Sequence, residues 1–103
     1  MDSAQRAEVA AAAFRQGDRL AAMGRFGDAR SAYTAAHDVV LDLPALHQRA
    51  HERLLPVHRA LGQRGAVVED RLLLLLAPVG VFEVLRWLLL TRARLRGRAL
   101  YPA

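Results

Sequence analysis

The stretch GDRLAAMGRFGDARSAYTAA, residues 17–36, decides the fold of this chain. Small residues recur in it at helical spacing, and Gly24 interrupts the pattern in the middle. Because glycine commonly ends a helix, the stretch predicts two helices joined by a short turn. Gly17, Ala29 and Ala36 would let the two helix axes approach to the low end of the usual range of about 8–10 Å. These residues therefore predict a closely packed antiparallel helical hairpin.

The pattern of residues 10–43 resembles one tetratricopeptide repeat, a two-helix unit of about 34 residues. The positions that match its small, turn and aromatic sites are Gly17, Leu20, Gly24, Phe26, Ala29, Tyr33 and Ala36. The chain departs from the family at its tryptophan–leucine pair, where Ala13 and Gln16 stand, and Pro44 comes about three residues late. A second unit, at 45–96, is degenerate.

The resemblance implies a small non-catalytic adaptor or assembly protein that binds a protein segment or associates with itself. In that family the partner lies in a groove formed by the first helices. The contact residues predicted here are Arg15, Arg19, Met23, His47 and His51. Because at least three stacked units are normally needed for stability, the open end needs a cover, either the C-terminal helix, a second copy or a partner.

The remaining sequence predicts further helices and no strands. The first helix should begin near Ser3, with Asp2 and Gln5 forming a capping box, and the second should cover 26–41. A third helix is expected over 45–61, with Pro56 inside it and kinking it.

A long fourth element over 66–96 should be split or bent at Pro78 and Gly80. With 103 residues, the chain is predicted to form one all-α domain of four to five helices over 1–97, followed by a flexible end at 98–103.

Charge and composition indicate the kind of genome that encodes the chain and the cellular location to expect. The 15 basic residues are all arginine, and lysine, isoleucine and asparagine are absent, which indicates a bacterial genome rich in GC. Acids and bases balance up to residue 85, so the net charge of +5 comes from the C-terminal arginines. Without cysteine or a recognisable signal peptide, the expected location is the cytoplasm.

The C-terminal helix suggests an alternative function as a peripheral membrane-associated module. The run from Leu72 to Thr91 is long enough to span a bilayer, but Glu83 and Arg86 would each cost about 2.5–3.5 kcal/mol inside it unless they pair. In the interfacial alternative, the residues that contact lipid or another anionic surface are Trp87, Arg92, Arg94, Arg96 and Arg98. These arginines spread around two sides of a helix, which argues against nucleic-acid recognition.

Three histidines of the third helix lie within roughly 40° of one another around its axis: His47, His51 and His58. Imidazoles on one face could bind zinc, nickel or copper. However, Glu52 points elsewhere, and His37 belongs to another helix and is expected to add little. The expectation is therefore a rim of half-buried histidines with no metal and no cofactor.

Catalysis has little support in the residues. Ser3 and Ser31 are the only serines, and neither lies in a glycine-flanked elbow. There is no phosphate-binding glycine loop. Glu69 and Asp70 are interpreted as acids in the first turn of the fourth helix. No catalytic residue is predicted, and the chain is not expected to be an enzyme.

Overall fold

The computed structural model describes residues 1–95, which form five α-helices and no strand. The predicted all-α class is confirmed. The helices are α1 (Ser3–Ala22), α2 (Phe26–Asp38), α3 (Pro44–Ala60), α4 (Arg64–Leu76) and α5 (Val81–Leu95). A short 3-10 helix, Ala77–Val79, joins α4 to α5. The flexible end predicted at 98–103 lies outside the described residues.

Helix α1 begins with the predicted capping box. The Gln5 amide donates to Asp2 Oδ1 at 2.8 Å, and the Asp2 amide donates to Gln5 Oε1 at 2.9 Å. These two bonds satisfy amides that a helix start otherwise leaves without partners. Gly24, with a φ of 75°, turns the chain into α2.

The first two helices pack against each other through the predicted small residues. Ala29 and Ala36 are fully buried, and Gly17 lies directly against the ring of Tyr33. The hydrophobic core continues from this hairpin onto α3, and its buried members are Ala10, Phe14, Ala29, Tyr33, Ala36, Val40, Ala50, Leu54 and Val57. All of these residues belong to α1, α2, α3 or the loop between α2 and α3.

Helix α2 ends at Asp38, three residues before the predicted end at residue 41. The apolar residues after Asp38 form a turn, in which the Val40 amide donates to the His37 carbonyl at 3.2 Å. The Arg6 guanidinium donates to the Val39 carbonyl and forms a two-pronged ion pair with the Asp42 carboxylate. An arginine of α1 thus stabilises the loop in place of another helical turn.

The predicted break near Pro78 is confirmed. Gly80 has a φ of 87°, and the axis of Val81–Leu95 is turned by 97° from that of Arg64–Val79. This turn lets α5 fold back onto α3. Arg86 Nε donates to the Asp42 carbonyl at 3.1 Å, and the ion pair that it could form with Glu83 is not found within residues 1–95. The other interruption, Pro56, lies inside α3, and the helix continues on both sides of it.

The helices of residues 1–95 give limited support for a membrane-spanning segment. Within the described part of the chain, no single helix combines the length and apolar character that a bilayer span needs. Among the residues up to 95, the bent pair of Arg64–Val79 and Val81–Leu95 meets both requirements together, by length and composition alone.

Candidate functional site

Two consecutive helices, α2 and α3, bring three histidines together. His37 lies in the last turn of α2, and His47 and His51 lie one turn apart on α3, so all three side chains meet where the two helices pack. Their ring centroids are 4.8–5.1 Å apart. Each offers one nitrogen to a group whose members lie within 4.8 Å of one another. We call His37, His47 and His51 the histidine cluster.

The ring nitrogens of the cluster have unequal partners. His37 Nδ1 lies 3.0 Å from Asp38 Oδ1, and its Nε2 lies 3.1 Å from His47 Nε2. His47 Nδ1 is buried and has no hydrogen-bond partner among residues 1–95. Burial lowers the pKa of His47 to about 4, and repulsion from His37 and His51 adds to the effect. His47 is therefore neutral at neutral pH, and a nitrogen lone pair is free of a proton.

A buried carboxylate supports the cluster from α4. Asp70 is only 2% exposed, and its two oxygens lie 2.7 Å from His51 Nδ1 and 2.6 Å from His58 Nδ1. The interpretation of Asp70 as an acid of the first turn was wrong, because α4 begins at Arg64 and Asp70 faces α3 one turn later. Asp70 therefore links α4 to α3 and orients two imidazoles.

Helix α5 closes the remaining side. Phe82, which is 1% exposed, places its ring centroid 4.9 Å from that of His47 and 5.9 Å from that of His51. Water is thereby kept from these two rings, while His37 retains partial exposure. The cluster is therefore largely shielded from solvent, and its accessible side is at His37.

The structure corrects the predicted roles of the histidines. His37 does join the group, because the end of α2 lies over α3, whereas His58 turns to Asp70 instead. The predicted half-exposed rim is also wrong, since His47, His51 and His58 are all buried. Burial beneath Phe82 does not fit the predicted role of His47 and His51 as contacts in an open groove.

The other predicted contact residues lie on the surface. Arg15 and Arg19 are exposed on α1, and Met23 is exposed just after it. Their role in binding a partner stays a prediction. On α5, the predicted lipid-contact residues Trp87, Arg92 and Arg94 are exposed, whereas Arg96 and Arg98 lie outside the described residues.

A second feature is the unusual exposure of apolar side chains on the last two helices. The only buried residue of α4 is Asp70, and the only one of α5 is Phe82, within residues 1–95. Seven large apolar residues between positions 68 and 88, on α4, the 3-10 helix and α5, are half-exposed or more and follow helical spacing: Val68, Leu72, Leu75, Val79, Val84, Trp87 and Leu88. We call these seven residues the apolar surface.

Comparisons of this chain with protein-family models, with curated proteins and with solved structures found no match.

Proposed function

We propose that this chain is a small non-catalytic protein-interaction module, similar to a tetratricopeptide-repeat adaptor, that associates through its apolar surface. The occupant we assign to that surface is a second copy of the chain. The α1–α2 hairpin, with Gly17 against Tyr33, supports the repeat-like character of the scaffold.

The contrast between the two halves of the fold carries the proposal. The hydrophobic core is built from α1, α2, α3 and the loop before α3, whereas α4 and α5 direct their apolar side chains outward. Leu75 is 75% exposed and Trp87 is 63% exposed. Each square ångström of apolar surface removed from water contributes about 25 cal/mol, so covering these residues is strongly favoured. Two consecutive helices that expose this many large apolar side chains indicate an interaction site.

Self-association fits the charges that flank this surface. Glu69 and Arg71 are exposed on α4, and Glu83 and Arg86 are exposed on α5. A two-fold axis places the same patch on both partners, so acids of one copy can face arginines of the other. Mixed charges of this kind guide pairing without mutual repulsion.

The repeat-like scaffold also leads us to expect a second copy against α4. In stacked helical hairpins, the outer face of the last helix is covered by the next unit. Here α4 packs its inner side on α3 through Asp70, and its outer side presents Leu72 and Leu75. A second copy placed against α4 would supply the missing layer.

The test is the mass in solution, measured by light scattering over a range of concentrations. We expect the wild-type chain to approach twice its own 11.4 kDa, and the double variant Leu72→Gln/Leu75→Gln to remain at 11.4 kDa with an unchanged helical circular dichroism spectrum. Val9→Gln is the matched control, because Val9 is also an exposed apolar residue but lies on α1. A wild-type monomer at every concentration would refute the proposal, as would a double variant that dimerises like the wild type.

A second candidate is a peripheral membrane module, favoured by the exposure of Trp87 beside Arg92 and Arg94 on α5. Tryptophan and arginine suit the boundary between headgroups and acyl chains. Flotation with anionic liposomes at low salt tests this function. If the chain binds membranes through α5, Trp87→Gln should reduce flotation. A wild-type chain that does not float would rule out this function.

A further inference from the structure

We propose that the histidine cluster is a site for a late first-row divalent metal ion, with Zn²⁺ as its natural occupant and His37, His47 and His51 as ligands. The proposal does not depend on self-association, because the cluster lies between α2 and α3. Three imidazole nitrogens match the nitrogen ligands that zinc prefers, whereas Mg²⁺ and Ca²⁺ take oxygen ligands.

The hydrogen bonds of the cluster indicate which atoms would bind the metal. In His37 and His51, Nδ1 lies against a carboxylate, of Asp38 at 3.0 Å and of Asp70 at 2.7 Å. This leaves Nε2 of both rings for coordination. Metal-binding histidines characteristically donate their other ring N–H to a carboxylate, which orients the ring and makes the ligand nitrogen more basic. Two of the three histidines already have that supporting partner.

The distances are close to those of a metal site. In tetrahedral coordination with Zn–N bonds of about 2.0–2.1 Å, two ligand nitrogens lie about 3.3–3.4 Å apart. His37 Nε2 and His47 Nε2 are 3.1 Å apart, and all three ligand nitrogens lie within 4.8 Å of one another. The main adjustment required is that the most widely separated ligand nitrogens approach each other by up to about 1.5 Å, to reach the spacing of tetrahedral coordination.

Two ring nitrogens of the cluster face each other, His37 Nε2 and His47 Nε2, at 3.1 Å. If His37 is neutral and its Nδ1 donates to Asp38, the proton of this contact lies on His47 Nε2 and points at the lone pair of His37. A divalent ion would replace that proton and accept both lone pairs, and the proton would move to His47 Nδ1, which has no hydrogen-bond partner among residues 1–95. The number of protons on the neutral ring is unchanged by this exchange.

Three protein ligands leave the fourth position of a tetrahedral ion for water or an external group. Phe82 covers His47 and His51, whereas His37 is partly exposed. The fourth position is therefore expected on the side of His37. Helix α4 would take part through Asp70, so the ion would tie α2, α3 and α4 together.

The experiment uses the full chain without a histidine tag, stripped of metal by a chelator and then titrated with Zn²⁺ by calorimetry. We expect one Zn²⁺ per chain and a raised melting temperature, because an ion that binds only the folded state stabilises it. With Co²⁺ as a spectroscopic probe, visible absorption bands of a four-coordinate ion should appear and be removed by Zn²⁺.

The variants separate ligands from neighbours. His37→Gln changes the most exposed ligand and should weaken Zn²⁺ binding at least tenfold, while His51→Gln provides a second ligand variant with the same expectation. His58→Gln is the matched control, because His58 contacts the same Asp70 but is not a ligand. The control should bind within about threefold of wild type, a difference of under about 0.7 kcal/mol. Wild-type binding weaker than about 100 μM would overturn the proposal. Folded ligand variants that bind like wild type, or a folded control that loses binding as they do, would overturn it equally.

Discussion

The ring of Tyr33 occupies the space that the missing side chain of Gly17 leaves on α1. A β-carbon at position 17 would lie 2.4 Å from Tyr33 Cε1 and 2.6 Å from Cδ1. Tyr33 cannot easily move away, because it is buried in the core and its hydroxyl donates to Asp18 Oδ1 at 2.6 Å. This contact sets how closely α1 and α2 approach.

Gly17→Ala should therefore destabilise the fold, although alanine favours an isolated helix over glycine by about 1 kcal/mol. Overpacking costs about 1–3 kcal/mol, and we expect a net loss in that range in urea unfolding. Gly65→Ala is the matched control, because it is also helical but has no neighbour within 4 Å of an added β-carbon. Equal stability of Gly17→Ala and wild type would show that the hairpin is loosely packed.

Removing the shared acceptor of His51 and His58 should be costly. In Asp70→Asn, one carboxylate oxygen becomes an amide that donates instead of accepting, so one histidine loses its partner inside the protein. A buried group left without its hydrogen bond costs about 1–3 kcal/mol, and we expect that loss in chemical unfolding. Glu69→Gln, its exposed neighbour, should change stability by less than about 0.5 kcal/mol. Similar effects of both substitutions would contradict the structural role of Asp70.

These residues also show which features of the fold could be predicted from the sequence. The capping box at Asp2, the close approach at Gly17 and the break at Pro78 were predictable, because each depends on a few neighbouring residues and on local backbone geometry. The early end of α2 was not, because the loop there is stabilised by Arg6, 36 residues before Asp42 in the sequence.

Only part of the histidine cluster could be predicted from the sequence. The i, i+4 spacing placed His47 and His51 on one face of α3, but the addition of His37 and the turning of His58 towards Asp70 depend on how three helices pack. One local signal for Asp70 was present: Val67, Asp70 and Leu74 share a helical face, which places the carboxylate on the side that packs.

The ion pair of Arg6 with Asp42 should contribute more than the one of Arg25 with Asp28. The first pair is largely buried and two-pronged, and it stabilises the loop between α2 and α3, whereas the second is exposed. Asp42→Asn removes the negative charge that faces a buried arginine and should cost about 3 kcal/mol. Asp28→Asn should cost less than about 1 kcal/mol. Thermal unfolding of the two variants makes the comparison, and equal melting temperatures would contradict it.

Stability should depend on the ionisation of Asp18 in acid. Partial burial would raise the pKa of this carboxyl, but hydrogen bonds from Tyr33 and Arg53 outweigh it and lower the pKa below its ordinary value. A lowered pKa in the folded state means that the stabilisation is complete above the unfolded value of about 3.9 and is lost as the pH falls through the folded value.

The stability difference between wild type and Asp18→Asn should accordingly shrink as the pH falls from about 5 to about 2. Urea unfolding at several pH values measures it. In a Tyr33→Phe background, which removes one of the hydrogen bonds, the same difference should depend less on pH. A wild-type advantage that stays constant through this range would show that the Asp18 contacts do not distinguish its two protonation states.

The most direct test of self-association through α4 and α5 uses Trp87, the one tryptophan of the chain and a member of the apolar surface. Its fluorescence emission should lie at short wavelength in concentrated solution, where a second copy covers it, and shift to longer wavelength on dilution as the copies separate. In Leu72→Gln/Leu75→Gln it should remain at long wavelength throughout. Emission of a water-exposed indole that does not change with concentration in the wild-type chain would contradict the account.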